Sequence, residues 1–301
     1  MSRSLFFGLF QEIQMTTLVV GATGSVGRSV LAGLAGKGVA VRGMSRYEAK
    51  FDNFPGGAEG VVGDLVAFGT LSNAFSGVEA LFLISPLSQN EIQMGRNAIK
   101  AAQAAGVKKI VYLSVPLPEG ADRVPHFRNK VLIEKALKES GITHTILRAN
   151  NFFQNDQWGQ AAIMSYGTYP QPLGNVGLNR VDSRDVADAA VNALTCDDFD
   201  NQEFSIHGPD VWTGESIAAE FSRQLGREIR YAGDDLKAWA KQAQHMMQAW
   251  MVNDFKIMYD FFQKHGLKAS AEALEKQKAV IGHEPRTFAD FVTALTKQWS
   301  S

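Results

Sequence analysis

Two residues four apart open the chemical reading: His126 and Lys130, in VPHFRNKVLIEKALKES from Val124 to Ser140. In a helix that spacing stacks both side chains on one face, one turn apart. An imidazole exchanges protons near neutral pH, and a neighbouring ammonium would hold an anion or tune the ring. The plain alternative is a solvated helix edge, and the pair alone does not choose between them. A second group is more specific. GATGSVG places Gly21, Gly24 and Gly27 at G-x-x-G-x-x-G spacing directly after the apolar run LVV. The first glycine permits a tight turn, the second admits backbone N–H groups to a pyrophosphate, and the third lets helix and strand pack closely. Thr23 and Ser25 add hydroxyl donors, and Val26 is the first apolar residue of the helix that follows. An anion there meets free N–H groups and the positive end of a helix dipole. The expected chemistry is dinucleotide binding.

Such a turn works only within a βαβ unit, and the chain supplies one. Leu18, Val19 and Val20 read as a buried strand, and Val26, Val30, Leu31 and Leu34 recur at helical spacing. Further strands are read over residues 39–46, 59–64, 79–85, 108–115 and 143–148. Helices alternate with them, one over about 91–105 and one over the opening stretch. The alternation predicts an α/β fold, a doubly wound parallel Rossmann sheet with helices on both faces. After Asn150 the rhythm changes to aromatic, proline- and glycine-containing segments and helices, read as a smaller, mostly helical α/β C-terminal cap. The expected organisation is a leader or start-site extension over 1–14, an NADP-binding domain over 15–150, and a substrate cap over 151–301. Segments near 181–208 are expected to return to the first domain. One long helical stretch is read from Asp234 to Gly266, with Met247, Trp250, Met251, Phe255, Met258 and Phe262 at helical spacing. Such a stripe is either core or a flexible apolar lid over a flat substrate, since methionine repacks easily.

Ligands of doubly wound sheets lie beyond the carboxyl ends of the strands. The second strand ends VRGMSR, with no acid to bind a ribose 2′-hydroxyl; Ser45 and Arg46 suit a 2′-phosphate instead, with Arg42 a second candidate. That favours NADP(H) over NAD(H). Asp64, followed by Leu65, falls where adenine is gripped, and a helix cap is the plain alternative. Ser85 and Pro86 follow the fourth strand, and Asn151 and Phe152 follow the sixth.

Composition excludes several classes. Of 301 residues 45% are hydrophobic and 20% charged, with a formal net charge of −1 and no basic block, so direct nucleic-acid binding is not expected. The single cysteine, Cys196, rules out an internal disulfide framework and a cysteine zinc cluster, and a reducing cytoplasm fits. His245, His265 and His283 lack metal-ligand spacing, so no metal is expected. No apolar run approaches the ~20 residues of a membrane span.

Together these residues resemble the NmrA-like branch of the atypical short-chain dehydrogenase/reductases, from about Met15 to Trp299. The carriers are GATGSVG, Arg46, GD at Asp64, LFLIS, AIKAAQAAGVKKIVYLS, IEKALKESGITHTILRANNFFQN, DSRDVADAA, HGPDVWTGESIAAEFSRQLGR and GHEPRTFADFV. The resemblance implies NADPH-dependent reduction of quinones or dyes, or in other members dinucleotide binding without turnover. Typical short-chain dehydrogenases use Ser, then Tyr-x-x-x-Lys. Ser114 stands at the serine position and Lys130 at the lysine position, but His126 stands where the tyrosine belongs. Either His126 relays a proton, or the acceptor takes one from water. Lys130 is expected at the nicotinamide ribose, which Ser85 and Pro86 also pass, with Asn150, Asn151 and Phe152 beside the nicotinamide. The function expected is hydride transfer from NADPH to a small apolar electrophile such as a quinone or conjugated aromatic. The rival is a non-catalytic redox sensor read by a protein partner; a nucleotide-sugar epimerase is weaker because it needs the missing tyrosine. A small-molecule substrate, no membrane and a homodimer left open complete the expectation.

Overall fold

A computed structural model describes residues 16–300 of the chain; the extension read over 1–14 lies outside the described residues. The apolar runs of the first half form β1 (Thr16–Val20), β2 (Ala40–Ser45), β3 (Ala58–Val62), β4 (Val78–Leu83), β5 (Lys109–Ser114) and β6 (Thr143–Ala149). Between them lie α1 (Ser25–Gly36), α2 (Leu71–Phe75), α3 (Glu91–Ala105) and α4 (Pro125–Glu139). The second half adds α5 (Gln160–Tyr166), β7 (Thr168–Tyr169), α6 (Ser183–Thr195), β8 (Gln202–Ile206), α7 (Gly214–Leu225) and β9 (Arg230–Tyr231). It ends with α8 (Leu236–Ala243), α9 (Ala249–His265), α10 (Ala271–Ile281) and α11 (Phe288–Ser300).

Seven strands form one sheet in the order β3-β2-β1-β4-β5-β6-β8, and every pairing is parallel. A parallel sheet needs helices on both faces, so its central strands carry apolar residues on both sides. All six residues of β5 are buried. One face packs Val30, Leu31, Val186 and Ala190 of α1 and α6 against the sheet. The other packs Leu71, Phe75, Ile99, Ile133 and Leu137 of α2, α3 and α4. This is the doubly wound α/β fold that the alternating pattern predicts, with a helical C-terminal region. That region has its own core, in which Phe153, Tyr169, Phe221, Phe262 and Phe288 are buried.

Two helix starts follow from their caps. Asp182 accepts the Arg184 N–H at 2.8 Å to start α6. Thr213 caps α7 and exchanges hydrogen bonds with Ser216, a reciprocal capping box. The stretch from Asp234 to Gly266 differs from the single helix read in it. Asp235 caps α8 through the Lys237 and Ala238 N–H groups. The Ala243 carbonyl then takes the N–H groups of both Met246 and Met247, closing α8. Gln248 is extended, with φ −65° and ψ 148°, and starts α9. The stretch forms two helices, with Met247 of the apolar stripe in the link and Trp250, Met251, Phe255, Met258 and Phe262 on α9.

His207 follows β8 and joins the sheet edge to α10. Its N–H donates to Gln277 Oε1 at 2.6 Å, and Gln277 Nε2 donates back to its carbonyl at 3.1 Å. Its Nδ1 lies 3.0 Å from Asn150 Nδ2, an amide donor, so this nitrogen accepts and the ring is neutral. Burial pushes the ring from 6.5 down to about 4. The unfolded chain takes up this proton below pH 6.5, whereas the folded chain resists it until about pH 4. Stability is therefore fully present above pH 6.5 and falls as pH drops through that window, by ~3 kcal/mol in total. In urea titrations from pH 7 to 4, His207→Gln is expected to lose less stability than the native chain, narrowing the gap between the two.

Candidate functional site

The glycine turn joins β1 to α1 at the carboxyl end of the sheet. Gly21 has φ +86°, a left-handed conformation open to glycine. A Cβ on Gly27 would lie 2.2 Å from the Gly21 carbonyl oxygen, so only glycine lets α1 approach β1 this closely. Gly24 differs. Its φ is −83°, and a Cβ there would meet nothing nearer than the Gly21 oxygen at 3.5 Å, an ordinary contact. The protein's own packing does not require glycine at 24, and the position opens outward. Thr23, Gly24 and Ser25 are exposed, and Val26 is buried beneath them. Helix α1 begins with no side-chain cap and no acid in its first turn, leaving its N–H groups available to an anion.

Strand order reverses here: β1 has β2 on one side and β4 on the other. Such a switch point opens a crevice between strand ends. Around it lie the other predicted residues. Ser45 ends β2 and exchanges hydrogen bonds with the Tyr47 backbone at 3.1 and 3.2 Å. Arg46 is exposed, its guanidinium 5.5 Å from the Tyr47 ring centroid, and forms no ion pair among the described residues. Arg42 instead bonds Glu59 at 3.1 Å and the Ser76 carbonyl at 2.8 Å, bracing the strand. Asp64 accepts the Val66 N–H at 2.9 Å, and the buried Leu65 gives its carbonyl to Asn97 at 2.7 Å.

Beside the crevice is a cavity of about 410 Å³. Its floor is the ends of β4, β5 and β6, its side is α4, and its cover is α8, α9 and the link between them. It gathers Ser85, Pro86, Ser114, His126, Lys130, Asn151 and Phe152, but not the glycine turn, Ser45, Arg46, Asp64 or Leu65, which lie along the same sheet edge. Trp239, Met246, Met247, Phe255 and Met258 supply its apolar cover.

Three polar side chains of the cavity have separate partners, and none bonds another. The Lys130 ammonium donates to the Ser85 carbonyl at 3.0 Å, to Ser85 Oγ at 2.8 Å and to Glu91 Oε1 at 2.8 Å. Burial alone would push Lys130 down, but the Glu91 carboxylate beside it outweighs this and holds the ammonium above its ordinary range. Burial likewise pushes Tyr112 up, so its hydroxyl stays protonated beside Ser85. Ser114 donates to Glu134 at 2.6 Å, and the same carboxylate takes a two-pronged bond from Arg148 at 3.0 and 2.6 Å. His126 Nδ1 is bonded to Asp254 of α9.

A second network holds the β6 exit. Arg180 and Asp156 both have no exposed side-chain surface and pair through two bonds of 2.9 Å. Arg180 also reaches Asn151 Oδ1 at 3.0 Å and the Phe152 carbonyl at 2.8 Å. Asp156 accepts from Tyr169 at 3.0 Å and Gln171 at 2.6 Å. Asn151 and Phe152 are positioned by these contacts. Away from the cavity, Asp185, Asp188 and His283 bring their ligand atoms within 4.8 Å of one another. The Arg286 guanidinium bonds both carboxylates, 2.8 Å from Asp188, so this is an ion-pair cluster.

Sequence reading missed Glu91, Glu134, Asp156, Arg180 and Asp254. A signal existed for Asp254. It lies four residues after Trp250 and four before Met258, an acid on an apolar face. For the others the partner is distant in sequence and no local spacing marks it.

Residues 14–292 match the family model of the NmrA-like family, to which the chain belongs. Over 283 residues it is 31% identical to the NAD(P)H azoreductase of Xenophilus azovorans, covering 92% of this chain and 96% of that protein. Over 288 residues it is 28% identical to quinone oxidoreductase 2 of Escherichia coli (strain K12), covering 92% of this chain and 97% of that protein. The crystal structure of an Escherichia coli NADPH-dependent quinone oxidoreductase complexed with NADPH overlays with a TM-score of 0.83 at 26% identity, covering 93% of this chain and 99% of that one.

The geometry separates the glycines and tests the buried pair. Gly24→Ala is expected to cost less than ~1 kcal/mol of folding stability, the scale of a helix cap change. Gly27→Ala is expected to cost more than ~3 kcal/mol, because backbone must move. Asp156→Asn leaves the Arg180 charge buried without its counter-charge and is expected to cost ~3–5 kcal/mol. Urea unfolding of the three variants reads all three values.

Proposed function

We propose that this member of the NmrA-like family is an NADPH-dependent oxidoreductase that delivers hydride to a small apolar electrophile, a quinone or conjugated aromatic. The observation that carries the reading is the apolar cavity at the ends of β4, β5 and β6, next to the switch point and covered by methionine and aromatic side chains. Its size suits one small flat molecule, and its methionine-rich cover can repack around different ones.

The residues fit the cofactor. The open Gly24 position and the uncapped start of α1 receive a pyrophosphate. Ser45 and Arg46 meet a 2′-phosphate; Asp64 and Leu65 flank the adenine. When bound, NADPH supplies the hydride. Ser85, Pro86, Asn151 and Phe152 flank the nicotinamide end. Lys130 acts through the floor: its ammonium holds Ser85 and places a positive charge beneath the ribose. Ser114, which donates to Glu134, shapes the same floor. His126 is left as the cavity group suited to exchange a proton near neutral pH.

One observation favours a non-catalytic sensor instead: Ser114 and Lys130 both spend their hydrogen bonds within the protein. NADPH consumption by the purified protein against a panel of quinones and azo dyes, with NADH as control, decides between the two readings. Faster turnover with NADPH is the expected result. Tight NADPH binding with no acceptor reduced supports the sensor. Arg46→Ala is expected to raise KM for NADPH about tenfold, the scale of one charge-assisted contact, and to leave KM for NADH unchanged. Gly24→Ala is expected to weaken both.

A further inference from the structure

The contact between His126 and Asp254 joins the start of α4, beside the sheet, to the middle of α9, in the cover. Asp254 is 5% exposed and sits on a helix face otherwise occupied by Phe255, Met258 and Phe262. A buried carboxylate on an apolar face is costly unless paired, and His126 is the hydrogen-bond partner found for it. The imidazole is packed edge-on against Phe127, with ring centroids 4.7 Å apart, and against Phe255 at 6.1 Å. These ring contacts and the Asp254 hydrogen bond hold the imidazole from two helices.

The pairing has a chemical consequence. A carboxylate on Nδ1 makes that nitrogen the proton carrier, and Nε2 has no protein partner among the described residues. His126 lines the cavity. An imidazolium at a helix N-terminus is opposed by the helix dipole, and the first turn of α4 carries no acid of its own to offset it. Asp254 supplies that counter-charge from another helix. His126, Lys130 and Tyr259 are the titratable side chains lining the cavity. Lys130 is held by Ser85 and Glu91, and burial pushes the Tyr259 hydroxyl well up. The side chain left to supply a proton to the cavity is therefore His126, as an imidazolium whose Nδ1–H is held by Asp254.

We infer that Asp254 is a positioning residue that orients His126 to protonate the oxyanion formed when a carbonyl-type acceptor is reduced in this cavity; the inference rests on the reductase reading above. The step balances. When bound, NADPH would supply a hydride that bonds to the acceptor, leaving the oxidised dinucleotide, and the displaced electron pair would rest on the acceptor oxygen. The Nε2–H bond of the imidazolium then breaks, an O–H bond forms, and the neutral ring, still Nδ1–H to Asp254, regains its Nε2 proton from solvent, so each turnover consumes one proton from solution. Acceptors whose reduced oxygen is strongly basic need this transfer; a quinone whose hydroquinone anion is weakly basic needs it much less. The pair thus sorts acceptors by basicity, and it is complete only when α9 covers the cavity.

The test compares the native chain, Asp254→Asn, Asp254→Glu, His126→Gln and the double variant, with two acceptors: an aromatic aldehyde and an electron-poor benzoquinone. Expected with the aldehyde is a loss in kcat on the order of 10²-fold for Asp254→Asn, in the range of general acid catalysis, with KM for NADPH unchanged. Asp254→Glu should recover part of the loss, and the double variant should be no slower than His126→Gln alone, as for residues acting as a unit. The quinone should lose less than about threefold, far less than general acid catalysis supplies. Thermal melts of each variant separate lost activity from lost fold. Equal losses with both acceptors, or native kcat in Asp254→Asn, would overturn the inference while leaving the reductase reading intact. A native chain that reduces the quinone but not the aldehyde also overturns it. A native chain that binds NADPH and reduces neither acceptor removes the reductase reading and this inference together.

Discussion

A fully buried ion pair, Arg180 with Asp156, is the constraint on which the far wall of the cavity depends. Neither charge has exposed side-chain surface, and either alone would be very costly in this setting. The cost is offset because four of the five guanidinium N–H groups meet an oxygen, of Asp156, Asn151 or Phe152. Phe288 lies under the guanidinium at 5.2 Å. The segment leaving β6 can therefore take one path, and that path presents Asn151 and Phe152 to the cavity. Tyr169 and Gln171, bonded to the same carboxylate, carry the constraint into the C-terminal region.

The floor obeys the same rule on a smaller scale. Glu91 has no exposed surface and is satisfied by Lys130, Ser85 and Asn129. Glu134 is satisfied by Ser114 and Arg148. Buried polar networks with every member paired are rigid, whereas partly paired ones are not. Ser114 and Lys130, which align with the serine and lysine of typical short-chain dehydrogenases, are both tied into these networks at the cavity floor. The cover is built differently, from methionine and aromatic side chains of α8, α9 and their link, in which Met246 is exposed. The cavity thus combines a fully paired polar floor with an apolar, methionine-containing cover.

Sequence periodicity and the glycine triplet were enough to place the sheet, because they are local. Period-2 and continuous apolar runs mark strands, and the crossover rules then leave few topologies. The triplet also carried two distinct meanings that only coordinates separate: Gly27 is demanded by the approach of α1 to the Gly21 carbonyl, and Gly24 is not demanded by the protein at all. The stretch from Asp234 to Gly266 shows the limit of periodicity. Its apolar spacing persists through the link, yet the cap at Asp235 and the closure at Ala243 end one helix, and Gln248 begins another.

By itself the amino-acid sequence determined the α/β class, the parallel sheet, the phosphate-type turn and the family, since each is written in neighbouring residues or fixed spacings. Tertiary structure alone decided which side chains meet. His126 and Asp254 are 128 residues apart, Arg180 and Asp156 are 24 apart, and His207 and Gln277 are 70 apart. Local pattern can mark an acid such as Asp254 as lying on an apolar face, but it does not encode the partners of such residues, which are brought opposite only by the fold. Their chemistry is set by what burial brings opposite them.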